Sequence, residues 1–271
     1  MTHALAIRRS RCRPFSLLAV VLLAALPAAG RERPARDPVP VAQGVVRAVV
    51  DGDTLVLESG AEVRLVGIQA PKLPLGRRGF PTWPLADEAR AALAALTLNR
   101  RLALGYGGRR IDRHGRQLAH LHDGSGTWIQ GEMLRRGLAR VYTFADNRAR
   151  AAEMYAAERA ARAARRGIWA DPFYKVRDVA ETPQLIDSFQ LVEGRVADVA
   201  VVRGRAYLNF GRDWRTDFTV TVSPRALRRF NGGRAAVEAL RGQRIRVRGW
   251  LKGWNGPMIE ATHPEQIERL P

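Results

Sequence analysis

The chain reads as a mainly β protein with helices (α+β). The expected architecture is a five-stranded OB-type barrel with three helices, followed by a second, smaller OB-like β-barrel. Short apolar runs bounded by Gly, Asp and Ser turns recur through residues 44–122 and again through 191–261. In each half the order is three strands, a helix and two strands, which is the order of an OB barrel. A length of 271 residues, 46% of them hydrophobic, leaves room for two cores.

Before the first strand come two segments outside that pattern. Arg8, Arg9, Arg11 and Arg13 precede an apolar run from Phe15 to Ala25, and Pro27-Ala28-Ala29-Gly30 supplies small residues for cleavage after Gly30. The run is shorter than the ~20 apolar residues of a bilayer span. Residues 1–30 are therefore expected to be a signal peptide, leaving no transmembrane anchor in a mature chain that is periplasmic or secreted. Cys12, the one cysteine, falls inside that segment, so disulfides, thiol catalysis and cysteine-ligated zinc are not expected. A polar leader, 31–43, follows.

The first expected domain spans 44–174. Its strands are placed at 44–50, 54–57 and 62–68, separated by Asp51-Gly52-Asp53 and Ser59-Gly60 turns. A Pro- and Gly-rich loop from Pro71 to Pro84 leads to a helix over 85–98, with Asp87 and Glu88 in its first turn. Strands at 101–106 and 116–122 and helices at 128–137 and 146–166 complete it. A linker is expected at 175–188, containing Thr182-Pro183. The second domain, 189–271, has strands at 191–202, 205–210, 217–222, 243–251 and 257–261, with one helix over 224–240.

The chain carries 45 basic against 26 acidic residues, a net charge of +19, and removing the four arginines of the expected signal peptide leaves +15. An excess of this size points to anionic partners: DNA, RNA or another anionic polymer. Within the first domain, Asp51-Gly52-Asp53-Thr54, Arg64 and Asp112-Arg113-His114-Gly115-Arg116 bring together the residue types that phosphodiester chemistry uses. Arginines contact phosphate oxygens in pairs, and carboxylates hold a metal or orient water. Taken singly, each also fits a plain structural role, since Asp-Gly-Asp is a common turn. His120 and His122 share a strand face, but no third metal ligand accompanies them in sequence.

Five ordered motifs go further: Val49-Val-Asp-Gly-Asp-Thr54, Val63-Arg-Leu-Val-Gly-Ile68 with Pro71, Asp112-Arg-His-Gly-Arg116, Gly137-Leu-Ala-Arg-Val-Tyr142 and Gly167-Ile-Trp169. In this order they resemble the staphylococcal nuclease (thermonuclease) family from about Gly44 to Tyr174. The resemblance implies an OB barrel with three helices and a calcium-dependent phosphodiesterase. It assigns Asp53 to calcium, Arg64 and Arg116 to catalysis, and Arg113 and His114 to the terminal phosphate. Tyr142 and Phe144 match aromatic positions near the substrate base, although core packing explains them equally well.

The departures fall on the active site. Where the family pattern has a metal-binding aspartate and a general-base glutamate, this chain has Gln69 and Lys72, and no Asp or Glu occurs between Glu62 and Asp87. Losing a general base costs ~10²–10⁴ in rate, and calcium seeks six to eight oxygen ligands. Calcium binding is thus expected to be weak or absent. Lys72 alternatively replaces the metal as a fixed positive charge, leaving phosphate binding intact and hydrolysis poor. In the second domain, Arg212, Trp214, Arg246, Arg248 and Trp254 interleave base-stacking and phosphate-binding types. The half-buried strand with a solvated outer face is an equal reading there. The functional expectation is an exported nucleic-acid or polyanion binder with impaired hydrolysis. Its alternatives are an active nuclease with an altered metal site and a cell-envelope interaction protein.

Overall fold

The computed structural model describes residues 1–2 and 40–271. The expected signal peptide and most of the leader lie outside the described residues. In the first half, β1 (Pro40–Asp51), β2 (Thr54–Leu57), β3 (Glu62–Leu65), β6 (Gln117–His122) and β5 (Arg101–Gly105) close into a barrel in that order. One long bent strand achieves the closure. Pro40 to Val45 pair with β5 and Val46 to Asp51 with β2, with register shifts that bend the strand between. Strands β3 and β6 run parallel and the other barrel pairs antiparallel.

Alternation sets what faces inward. Leu55 and Leu57, Val63 and Leu65, Leu102 and Leu104 fill the core against Ile129 and Met133. Arg64, between Val63 and Leu65, consequently projects out of the core. Helices α1 (Ala86–Thr97), α2 (Ile129–Arg135) and α3 (Ala151–Ala163) pack around the barrel. The third was expected from residue 146. It starts later because Phe144 and Asn147 form a bridge, and the Asn147 side chain donates to the carbonyl of Arg109 at 2.9 Å, holding 146–150 in a turn.

Three glycines shape the surroundings of the site. Gly67 has φ 85° and ends the expected third strand early. Gly67–Gln69 becomes β4, paired antiparallel with β7 (Arg140–Tyr142), so that Gln69 stands opposite Arg140. The motif glycines Gly137 and Gly167 meet backbone to backbone: Ile168 N–H donates to the carbonyl of Gly137 at 2.8 Å. A Cβ at Gly137 would lie 2.1 Å from the carbonyl oxygen of Arg166.

The second half repeats this connectivity as a curled sheet. Its order is β10 (Asp198–Val202), β11 (Arg205–Asn209), β12 (Thr219–Val222), β14 (Pro257–Ala261), β13 (Arg244–Gly253) and β9 (Phe189–Arg195), with β12 and β14 parallel. Strands β9 and β10 are the expected strand 191–202, interrupted at Val196-Ala197, and its two parts pair with β13 and β11. The expected helix 224–240 is two short ones, α4 (Pro224–Leu227) and α5 (Gly233–Glu238), because the chain turns at Asn231-Gly232-Gly233. Residues 175–188 hold β8 (Arg177–Asp178), parallel to β9, and a 3-10 turn with a capping box between Asp178 and Glu181. A last strand, β15 (Ile267–Arg269), pairs with β13.

Residues 40–271 belong to one compact unit. Apolar contact joins the two sheets: Ala161, Ile168, Trp169 and Tyr174 share a cluster with Phe189 and Leu191. Among the described residues no helix is long and apolar enough to cross a membrane.

Candidate functional site

The turn from β1 to β2 places Asp51 and Asp53 side by side, and the Asp53 N–H donates to Asp51 Oδ1 at 3.0 Å. Asp53 is fully buried. It accepts a hydrogen bond from Arg64 Nη1 and one from the Ala70 N–H at 2.8 Å. Lys72 fills the remaining space, with Nζ 2.8 and 2.7 Å from the two Asp53 oxygens and 3.2 Å from Asp51 Oδ2. Arg64 Nη2 also donates to the carbonyl of Ile68 at 3.2 Å. One ammonium and one guanidinium thus share two carboxylates.

Burial pushes the Asp53 carboxyl upward, but Arg64 and Lys72 overcome this and hold it well below the usual carboxylate range. Asp51 moves the other way. Burial and the neighbouring Asp53 charge raise it, and Lys72 only partly offsets them. Gln69 is turned aside by the β4–β7 pairing: its Oε1 accepts from Arg140 Nε at 2.9 Å. Arg140 is itself buried and lies over the Phe189 ring at 4.5 Å, and burial lowers it to about 10.

The loop before β6 supplies a second basic group. Asp112 accepts from Arg116 Nε at 2.8 Å and from the backbone N–H groups of His114 and Arg116 at 2.8 and 3.0 Å. Arg113 and His114 are exposed, with Arg113 Nε 3.1 Å from His114 Nε2. A cleft of about 770 Å³ brings these parts together, with Arg64, Lys72, Arg113, His114, Arg116 and Tyr142 among its lining residues. Its wall is aromatic: Tyr142 meets Phe144 edge-on at 4.7 Å, and Trp250 Nε1 donates to the Tyr142 hydroxyl at 3.1 Å. Of the sequence-predicted residues of the first half, Arg64, Lys72, Arg113, His114, Arg116, Tyr142 and Phe144 line one cleft, with Asp53 buried beneath Lys72 and Gln69 turned away.

The second-half residues do not. Arg248 is fully buried, bonded to both Glu158 oxygens at 3.0 Å, to Glu268 at 2.6 Å and to the carbonyl of Val141 at 3.0 Å. Arg246 is bonded to Glu193 and lies 3.7 Å from Glu268. The expectation that Arg248 contacts substrate is corrected accordingly, because no part of its guanidinium is left open to a ligand. Along this face of β13, Arg248 is turned against α3, Arg246 lines a separate cleft of about 1050 Å³ with Arg159 and Glu268, and Arg244 stays exposed. Arg212, Trp214 and Trp254 are exposed but lie outside the cleft lining, in loops that touch where Gly256 packs on Thr216.

Two residues in the cleft carried no assignment from sequence. Asp51 had the Asp-Gly-Asp spacing as its signal, since residues two apart in an extended chain share a side. Trp250 had only the interleaving of aromatic and basic residues around it, because its partner Tyr142 lies in the other half of the chain. The calcium implied by the resemblance does not fit these residues. Both Asp53 oxygens are engaged by Lys72, an ammonium stands between the two carboxylates, and Gln69 faces Arg140. Among the described residues no group of three or more His, Cys, Asp or Glu is arranged to hold a metal.

A family model for staphylococcal nuclease homologues matches residues 62–171. The chain is also similar to Protein ParB of Escherichia coli, 32% identical over 147 residues, which is 48% of this chain and 73% of that protein.

Proposed function

The chain belongs to the staphylococcal nuclease homologue family, and we propose that it binds nucleic acid in the cleft while hydrolysing it poorly. The observation that carries this reading is the position of Lys72. Its ammonium donates to Asp53 and Asp51, so it supplies positive charge where the family pattern has a base and a metal ligand. A protonated amine has no lone pair with which to take a proton from water, and losing the general base costs ~10²–10⁴ in rate. Arg64, Arg113 and Arg116 line the same cleft and suit phosphate oxygens whether or not a metal is present. The exposed Arg212, Trp214 and Trp254 are a further contact for longer strands in this proposal. Export by the N-terminal 1–30 segment, to periplasm or medium, belongs to the same proposal.

The test follows binding and cleavage of single-stranded DNA and RNA together, in calcium, magnesium or chelator. Salt-sensitive binding without turnover, lost in Arg64→Ala/Arg116→Ala, supports the reading. Metal-dependent turnover lost in Arg116→Ala overturns it in favour of an active nuclease, and absence of binding favours an envelope role. One observation favours a second reading. Asp51 lines the cleft with its carboxyl raised by burial and by Asp53, which suits a metal-independent base. Cleavage that persists in chelator and disappears in Asp51→Asn would establish that role.

A further inference from the structure

We propose that Trp250, carried by the second sheet, completes a base-stacking wall in the cleft, and that the occupant is a single-stranded nucleic acid. This rests on the nucleic-acid reading and specifies its substrate class. Three relationships support it. Trp250 and Phe144 line the same cleft as Arg64 and Arg116, yet remain 47% and 46% exposed. Large rings left half open beside guanidinium groups offer apolar surface to a flat ligand.

The rings are also held in place. Trp250 Nε1–H donates to the Tyr142 hydroxyl at 3.1 Å. Tyr142 is in turn fixed edge-on between Phe144 and Phe189, each 4.7 Å away between centroids. Phe189 pairs with Trp250 across the β9–β13 register. The wall therefore runs without a break from β7 of the first barrel to β13 of the second sheet, and Tyr142 is the positioning residue at the join.

The combination selects the ligand. A simple polyphosphate gives flat apolar rings nothing to stack on, and a duplex keeps its bases stacked inside. An unpaired strand presents phosphates to arginines and base faces to rings together, and every base has such a face. The second half of the chain then contributes to binding through this ring, whereas its buried Arg248 does not.

The experiment compares a fluorescein-labelled oligothymidylate, an oligouridylate of equal length, a duplex and linear polyphosphate, bound to the full chain at fixed moderate salt. Trp250→Ala is expected to weaken binding of both single strands about tenfold or more, leaving duplex and polyphosphate within about twofold. Trp250→Phe keeps a ring and should recover most of the loss. Tyr142→Phe, which removes only the acceptor for Trp250, should give an intermediate effect. Thermal unfolding of each variant separates misfolding from lost stacking, and Trp250→Phe remains informative if Trp250→Ala fails to fold. Unchanged single-strand affinity in Trp250→Ala, or an equal loss for polyphosphate, overturns the inference while the nucleic-acid reading stands. Failure of the parent chain to bind any of the four probes overturns both.

Discussion

Lys72 Nζ sits 2.7 and 2.8 Å from the two carboxylate oxygens of Asp53, inside the group of residues that a divalent cation would need. The nuclease-type barrel is intact around it, and Arg64 completes the neutralisation of the same carboxylate. An internal cation therefore stands where an exchangeable one is implied.

Restoring the acids should restore metal dependence. In Gln69→Asp/Lys72→Glu the added acids join Asp51 and Asp53, and Arg64 remains in place of the Lys72–Arg64 pair of cations at Asp53, which destabilises the metal-free protein by mutual repulsion. Calcium should then stabilise the variant by about 2.7 kcal/mol at 100 times its Kd, while the parent melting temperature stays where it was. Differential scanning fluorimetry with and without calcium reads both. A double variant indifferent to calcium would show that Lys72 and Gln69 are not what excludes the metal.

Arg248 and Glu158 are paired at 3.0 Å through two hydrogen bonds, both fully buried. Removing Arg248 leaves the buried Glu158 carboxylate relying on Arg162, 3.0 Å away, for its counter-charge. Arg248→Met should cost about 3–5 kcal/mol in urea unfolding. Nucleic-acid affinity, measured where the variant is still folded, should not change. A loss of affinity in the folded variant would return Arg248 to the binding surface.

Arg116 and Asp112 predict opposite effects on binding. Arg116→Ala should lower the slope of log affinity against log salt by about 0.7 for a single strand. Asp112→Asn keeps an acceptor for the backbone N–H groups of His114 and Arg116 and removes the negative charge paired with Arg116. It should tighten binding by up to about fivefold. Salt titrations of the two variants decide whether Arg116 touches phosphate.

Stability should fall as pH drops below neutrality. Burial, with Arg150 and His122 adding, lowers His120 to about 3; burial, with Arg148 and Arg229 adding, lowers His263 to about 3. Both rings stay neutral in the folded protein down to that pH, whereas unfolded histidine takes up a proton near 6.5. Between those values the unfolded chain binds more protons, so stability declines as pH falls, by about 1.4 kcal/mol per pH unit for each ring. Below about pH 4, Asp53 and Glu158, both held below the usual carboxylate range, add losses of the same sign. Urea unfolding at pH 7 and pH 5 measures the first effect. His263→Gln, which retains a polar partner for Thr143 Oγ1, should reduce the slope, and a flat profile in the parent would show that neither ring is held neutral.

The strand order, the motif spacing and the replacement of two acids by Gln69 and Lys72 are local properties of the chain. They were enough to place a barrel over the first half, a related sheet over the second, and Asp53, Arg64 and Arg116 in one neighbourhood. Alternation along a strand determines which residues leave the core, and that is written in the order of residues. It does not say what a departing side chain meets. Alternation put Arg246 and Arg248 on one face, but only packing against α3 buried Arg248 in a network with Glu158 and Glu268 while Arg246 stayed at a cleft. The break at Gly67 took Gln69 away from Asp53 and gave it to Arg140, a partner 71 residues distant. Trp250 reached Tyr142 across 108 residues in the same way. Contacts of that separation are set by how two folded sheets dock, so the tertiary structure alone decided where Lys72 rests, which arginines remain open to phosphate, and which rings form the wall of the cleft.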